Sequence, residues 1–347
     1  MTPTSWTDQI SFHKKTLVLR SRHGGLTLVE LLVALAISTV IAIAAVSALI
    51  VSRQGLNTVD GASQLRDNAR FATDLIQRLG VQAGFDDITF AASKRSSSDP
   101  FNPDSSVFGF NNATADATDP SHAATARTVV GSAGYGSDVL VMRYQVASTF
   151  PGSGVSDNSM IDCSGNASTI VPVNRDDQMW SVLHVAPSSI DGELSLMCTS
   201  ANPTSGVISI QPVIRGVENF QVLYGAVGVI PNTAPVGLPI SSVADRYLRA
   251  DQMQVTADPI GTNANWRRVR SLRIGMILRG PLGSSPESTT QPTLYPLGQA
   301  KDSSGGSTGS ALSSASNDPG TVYSPTADRR LRQVVTFTVH LRNEQGL

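Results

Sequence analysis

The sequence predicts an α+β protein: a long N-terminal helix packed on a mainly antiparallel β-sheet head with long loop insertions. Three observations predict it. The run Leu31–Ser52 carries no charge and no proline, and a helix needs about 20 mostly apolar residues to cross a hydrocarbon core. Apolar residues then recur every three or four positions at Leu56, Val59, Ala62, Leu65, Ala69, Ala72, Ile76 and Leu79, the period of one buried helix face. Beyond residue 85, short runs of alternating apolar and polar residues lie between stretches rich in Ser, Gly and Asn, a pattern of strands and turns.

The apolar run reads as one membrane-spanning helix, because only a helix satisfies its own backbone groups in lipid. Glu30 is the only charge between Leu26 and Ser52. A carboxylate inside a span costs roughly 2.5–3.5 kcal/mol, so a positive group is expected nearby. Ahead of the run, Lys14, Lys15, Arg20 and Arg22 stand against one acid, Asp8, and are followed by Gly24-Gly25. A secretory signal has its small residues after the apolar segment; here they come before it. A cut between Gly25 and Leu26 removes the basic leader, keeps the helix and creates an α-amine on Leu26, about 6 Å from Glu30 along a helix axis. The basic leader puts the preceding segment in the cytoplasm and the rest of the chain outside.

The stretch Gly25-Leu26-Thr27-Leu28-Val29-Glu30-Leu31-Leu32-Val33-Ala34-Leu35 resembles the type IV prepilin signal. The resemblance implies cleavage after Gly25 by a prepilin peptidase, N-methylation of Leu26, and an assembly role for Glu30. Leu26 stands where family members usually have phenylalanine. Ser47 and Thr39 stand at the depth where many major pilins have a helix breaker, so no proline kink is expected. The order it implies is a leader at 1–25, a transmembrane helix at 26–52, its amphipathic continuation at 53–84, and a periplasmic head at 85–347 with insertions at about 88–137 and 284–328. Gly84 is the expected helix-ending residue. Gly55 and Gly61 are expected to loosen the helix as it leaves the membrane.

A charged fraction of 15% and an aromatic fraction of 5% favour a loop-rich β head over a dense enzyme core. The precursor has a net charge of −1; without its leader the chain stands at about −4, which gives no case for nucleic acid. Strands are expected at 138–146, 180–185, 193–197, 207–211, 217–224, 269–278 and 331–341. The stretch 88–137 reads as loop with one short strand, and 284–328, dominated by Ser, Gly, Thr and Pro, as a long mobile insertion. Two cysteines occur, Cys163 and Cys198. In an exported head they read as a disulfide, worth roughly 4 kcal/mol in the chain-entropy model; the other reading is two unrelated buried thiols. No metal-ligand spacing surrounds them.

No G-x-S-x-G, HExxH or GxxxxGK[ST] motif occurs, so no catalytic, cofactor-binding or metal residues are expected. Gly131–Gly136 reads as a turn. His13 and His23 leave with the leader, and His122, His184 and His340 read as solvent-facing or strand residues. Arg267, Arg268, Arg270 and Arg273, beside Trp266, read as a solvated strand face pairing with acids or a neighbouring subunit, a polyanion contact being the alternative.

The blocks RFATDLIQRLGVQAGF, GVENFQVLYG, VRSLRIGMILRG and RRLRQVVTFTVHLRN, with the cysteine pair, resemble PilW-type minor pilins. That resemblance implies a structural subunit, not an enzyme, that helps to initiate or cap a type IV pilus. Its implied partners are the prepilin peptidase, other minor pilins and the major pilin, with a tip adhesin as an optional further partner; lipid of the inner membrane surrounds the span. The J-type minor pseudopilin of type II secretion is the near alternative, and a membrane-anchored periplasmic enzyme or binding module the distant one.

Overall fold

The computed structural model describes residues 25–91, 105–201, 207–237, 241–285, 291–301, 307–310, 312 and 318–343. The leader up to residue 24, and parts of both expected insertions, lie outside the described residues. The chain divides into two compact units, Met1–Arg53 and Gln54–Leu347. Helix α1 runs Leu28–Gln82 without a break.

In the first unit every described residue is exposed, and α1 there is long and apolar enough to cross a membrane. Two of its hydroxyls are satisfied locally. The Ser38 hydroxyl donates to the Leu35 carbonyl at 3.0 Å and the Thr39 hydroxyl to that of Ala36 at 2.8 Å. Such back-bonding lets Ser and Thr sit in a span without an unpaired donor.

In the second unit α1 buries Gly61, Leu65, Ala69, Ala72, Leu75, Ile76 and Leu79. The packed face therefore begins at Gly61; Leu56 and Val59, expected on it, are 61% and 67% exposed. The expected loosening at the glycines is also corrected. The helix runs unbroken through Gly55 and Gly61; a Cβ on Gly61 would collide with Cβ of Ser284 and one on Gly80 with the Val339 side chain, while Gly55 meets nothing, so Gly61 and Gly80 admit close approach of the helix to the head. Gly84 follows the helix with φ +74°, a conformation only glycine adopts freely. The Asn343 amide donates to the Val81 and Ala83 carbonyls at 2.9 and 3.1 Å, satisfying helix-end groups that have no intrahelical partner.

Two antiparallel sheets form the head. The larger has the order β1 (Val107–Phe110), β4 (Val139–Tyr144), β5 (Met179–Pro187), β6 (Leu194–Ala201) and β7 (Ile208–Arg215). The smaller has the order β13 (Arg332–His340), β10 (Val269–Arg279), β8 (Val217–Ala226) and β9 (Arg246–Leu248). Two hairpins, β2 (Ala113–Ala115) with β3 (Ala124–Ala126) and β11 (Gln299–Lys301) with β12 (Ser307–Ser310), complete the strands. The α1 face shares one core with Leu140, Phe220, Val222, Tyr224, Leu272, Ile274, Met276 and Val339.

Three further expectations change. The stretch read as loop around one short strand supplies β1, β2 and β3, and β1 extends the larger sheet. Between β9 and β10 lie α2 (Ala250–Met253) and α3 (Pro259–Trp266), which no sequence expectation covered. The described part of the second insertion is packed: Leu297 and Thr321 are buried, Thr336 donates to the Pro296 carbonyl at 2.6 Å, and a Cβ on Gly275 would strike Pro296. Its Pro296 lies against the second face of the smaller sheet, the face that also carries the buried Leu223 and Ile277.

The arginine cluster is a solvated face only in part, since Arg267 is exposed and Arg273 half-buried. Arg268 and Arg270 are buried. Arg268 donates to the carbonyls of Gly228 and Gly237, Arg270 to that of Arg267, and Arg273 to the Thr338 hydroxyl. Trp266 packs edge-on against Phe108 and Tyr224. These guanidiniums brace loops from inside.

Candidate functional site

Gly25, Leu26 and Thr27 precede α1 outside any regular element, and Leu26 is 74% exposed. Thr27 and Glu30 close a reciprocal pair of hydrogen bonds around the helix start. The Glu30 amide donates to the Thr27 hydroxyl oxygen at 3.2 Å, and Glu30 Oε2 accepts from the Thr27 amide at 2.9 Å and the Thr27 hydroxyl at 3.0 Å. This is a capping box, Thr-x-x-Glu, which satisfies helix-start donors that the ladder leaves open. It also holds the carboxylate at the positive end of the helix dipole. Glu30 is thus oriented before any partner arrives. Its spacing to Thr27 is legible in the sequence; the prepilin resemblance drew attention to Glu30 alone.

Cys163 and Cys198 lie in the head, apart from this motif in sequence and in role. They form a disulfide with Cα atoms 5.5 Å apart, and both are buried. Cys163 sits in the loop before β5, its amide donating to the Ser181 hydroxyl at 3.0 Å, while Cys198 belongs to β6. The bridge pins that loop across the β5–β6 pair.

His184, on β5, is a buried strand residue. Its Nε2 lies 3.0 Å from the Thr199 hydroxyl. Burial, aided by the nearby Arg127 guanidinium, pushes its pKa down to about 4. The folded state therefore favours the neutral ring. Stability from this group is full above the unfolded value near 6.5 and is lost as pH falls towards 4, by roughly 3 kcal/mol in all. Thermal melts between pH 7 and pH 4 are expected to show this slope, and His184→Gln to flatten it; an equal slope in both proteins would remove His184 as its source.

A cleft of about 550 Å³ opens beside β1, α2 and α3, with Phe108, Phe110 and Trp266 in its wall and His122, Asp251 and Asp258 among its polar groups. The polar groups have structural partners. Asp251 takes a fork from Arg249, Asp258 caps α3 through the Gly261 amide, and His122 lies 2.7 Å from Asp119. Among the described residues no cluster of three His, Cys, Asp or Glu side chains could hold a metal ion.

Two family models match the chain. The prokaryotic N-terminal methylation motif matches residues 20–46, and type IV pilus-assembly protein W, PilW, matches residues 184–343. Together the two matches support a PilW-type, type IV prepilin-like protein. Among solved structures it is similar to a type IV-like pilin from Thermus thermophilus, with 11% identity over 81% of this chain and 98% of that chain and a TM-score of 0.35, a likeness too distant to carry an argument. No curated protein matches.

The two matched segments meet the geometry at different points. The methylation motif spans Gly25, Leu26 and the Thr27–Glu30 cap. The PilW match runs from His184 on β5 to Asn343, the residue that caps the far end of α1. Taken together they fit a type IV minor pilin anchored by its apolar helix, and the pilus reading stands over the secretion alternative. Pilin-family likeness suggests a structural, non-enzymatic protein. The motif also implies processing by prepilin peptidase and assembly with other pilins.

Proposed function

We propose that this minor pilin helps to initiate or cap a type IV pilus. Prepilin peptidase removes residues 1–25 on the cytoplasmic side and Leu26 is methylated. Residues 26–52 then hold the subunit in the inner membrane, 53–84 continue the helix, and the head from 85 to 347 stands in the periplasm. Other minor pilins and the major pilin are its neighbours, with a tip adhesin as an optional further one.

The observation that carries this reading is the capped Glu30 at the head of an otherwise uncharged span. Held by Thr27, the carboxylate presents a fixed negative charge. The methylated α-amine of an adjacent subunit keeps its positive charge and is a fitting partner. Unit charges about 4 Å apart attract by roughly 4 kcal/mol at an effective dielectric of 20.

Glu30→Gln separates the two roles of the side chain. Glutamine keeps an oxygen that accepts from the Thr27 amide, so the cap survives, but it has no charge. Membrane insertion and leader removal are expected to stay normal while incorporation into sheared pili falls at least tenfold. Incorporation equal to wild type would overturn the charge-pairing account.

A further inference from the structure

The edges of the two sheets are not alike. β1 is four residues long and β9 three. β7 carries Pro212, and its pairing with β6 slips between Leu196 and Met197. Short strands, prolines and bulges are the usual means of blunting an edge against unwanted pairing. β13 has none of them. It is nine residues long, RQVVTFTVH, without proline or glycine, and it pairs with β10 over its whole length with no register shift.

The direction of its backbone groups follows from its two ends. The Gly280 amide donates to the Leu331 carbonyl, and the Leu341 amide to the Arg270 carbonyl. Antiparallel pairs alternate between bonded and non-bonded along the ladder. Gln333, Val335, Phe337 and Val339 therefore bond inward to β10, and Val334, Thr336 and Thr338 turn their N–H and C=O groups outward. Among the described residues no backbone group of these three has a partner on that side. A groove of about 400 Å³ lies alongside, between Gln333–Thr336 and the Ala69, Arg70, Thr73 and Asp74 positions of α1.

We propose that β13 is a docking edge for an extended strand from the head of a neighbouring pilin subunit. The chemistry of the occupant is set by the edge: only another strand supplies donors and acceptors at the spacing that Val334, Thr336 and Thr338 require. Its source is argued from α1. The methylation motif implies assembly with other pilins, and β13 shares its groove with the Ala69–Asp74 stretch of α1, so a pilin subunit lying along that stretch brings its head to this edge. The inference rests on the minor-pilin reading.

The test uses full-length protein in its own cells, with a photo-crosslinking amino acid in place of His340, at the exposed end of β13, or of Leu35, in the span. Leu35 reports helix packing between pilins, and His340 reports strand pairing. The expected result is that both positions crosslink to another protein bearing a prepilin motif, with the His340 adduct mapping to a strand of its head. Val334→Pro removes only an outward N–H and should reduce the His340 adduct at least tenfold, leaving the Leu35 adduct within twofold. Val335→Pro, which removes an inward bond, should instead unfold the head. Where Val334→Pro fails to accumulate, Val334→Lys blocks the edge and keeps the amide; it should give the same tenfold loss. Leu35 adducts without His340 adducts, or His340 adducts on a second copy of this chain or on a helix, overturn the docking edge and leave the pilin reading standing. Adducts from neither position overturn both.

Discussion

Gly25→Trp is expected to leave every molecule uncut, with the basic leader still attached to α1. The wild-type protein should begin at methylated Leu26. The structural cost of the substitution is negligible, because a Cβ on Gly25 meets nothing within 4 Å and Gly25 lies outside α1. Failure to process therefore reports the fit of the small residue in the peptidase and not damage to the helix. N-terminal sequencing or intact mass of membrane-extracted protein reads the outcome directly. A Gly25→Trp chain that still begins at Leu26 would sink the proposed cleavage site, and so would a wild-type chain that begins beyond the apolar run.

The second large effect lies in the head. Glu218 on β8 and Arg332 on β13 have side chains only 3% and 2% exposed and are joined across β10 by two contacts of 2.7 and 3.0 Å. Arg279 adds a third arm to Glu218 at 3.1 Å and reaches Glu193 at 2.6 Å, and Asp328 holds Arg332 from the other side at 2.7 Å. Removing one partner of a buried pair costs about 3–5 kcal/mol, because the remaining charge stays desolvated. Glu218→Gln is therefore expected to destabilise the head by about 3 kcal/mol, near the low end because Arg332 and Arg279 each keep another carboxylate. For a head of this size that is a fall of roughly 6 °C in Tm. A replacement of Glu218 and Arg332 together by apolar residues of similar volume should cost much less. A melt of Glu218→Gln within about 2 °C of wild type would show that the network is not desolvated as its burial indicates.

The long helix and the main strands were legible because their signals are local. The uncharged run, the repeat from Leu65 to Leu79 and the alternation in 217–224, 269–278 and 331–341 each depend on neighbours in sequence. What the sequence hid depends on distant neighbours. Nothing around Val107–Phe110 reveals that it pairs with Val139–Met142, since four residues among serines and glycines carry too little pattern. The second insertion has the composition of a linker, yet Leu297 and Pro296 are held by the smaller sheet. Arg268 and Arg270 read as surface charges because sequence does not show that loop carbonyls converge on them. Some signals were present and unread. Asp258-Pro259 marks the start of α3, an acidic cap before a proline at the first helical position, and Thr27-x-x-Glu30 marks the start of α1. The disulfide partners were identifiable because the chain has only two cysteines.

The tie between Asn343 and the last turn of α1 links residues 262 and 260 positions apart, so it sets an order of events during synthesis. The helix is made first; the residue that closes it is made after the whole head. Until then a growing chain has unsatisfied carbonyls at Val81 and Ala83, and β10 lacks the strand that completes its outer side. Contacts so distant in sequence form slowly, because the loop must close before they contribute. A subunit stalled before residue 332 would be unfinished, its β10 edge open to whatever strand lies nearby. Completion of β13 and Asn343 thus closes the end of the helix and the outer side of the smaller sheet together.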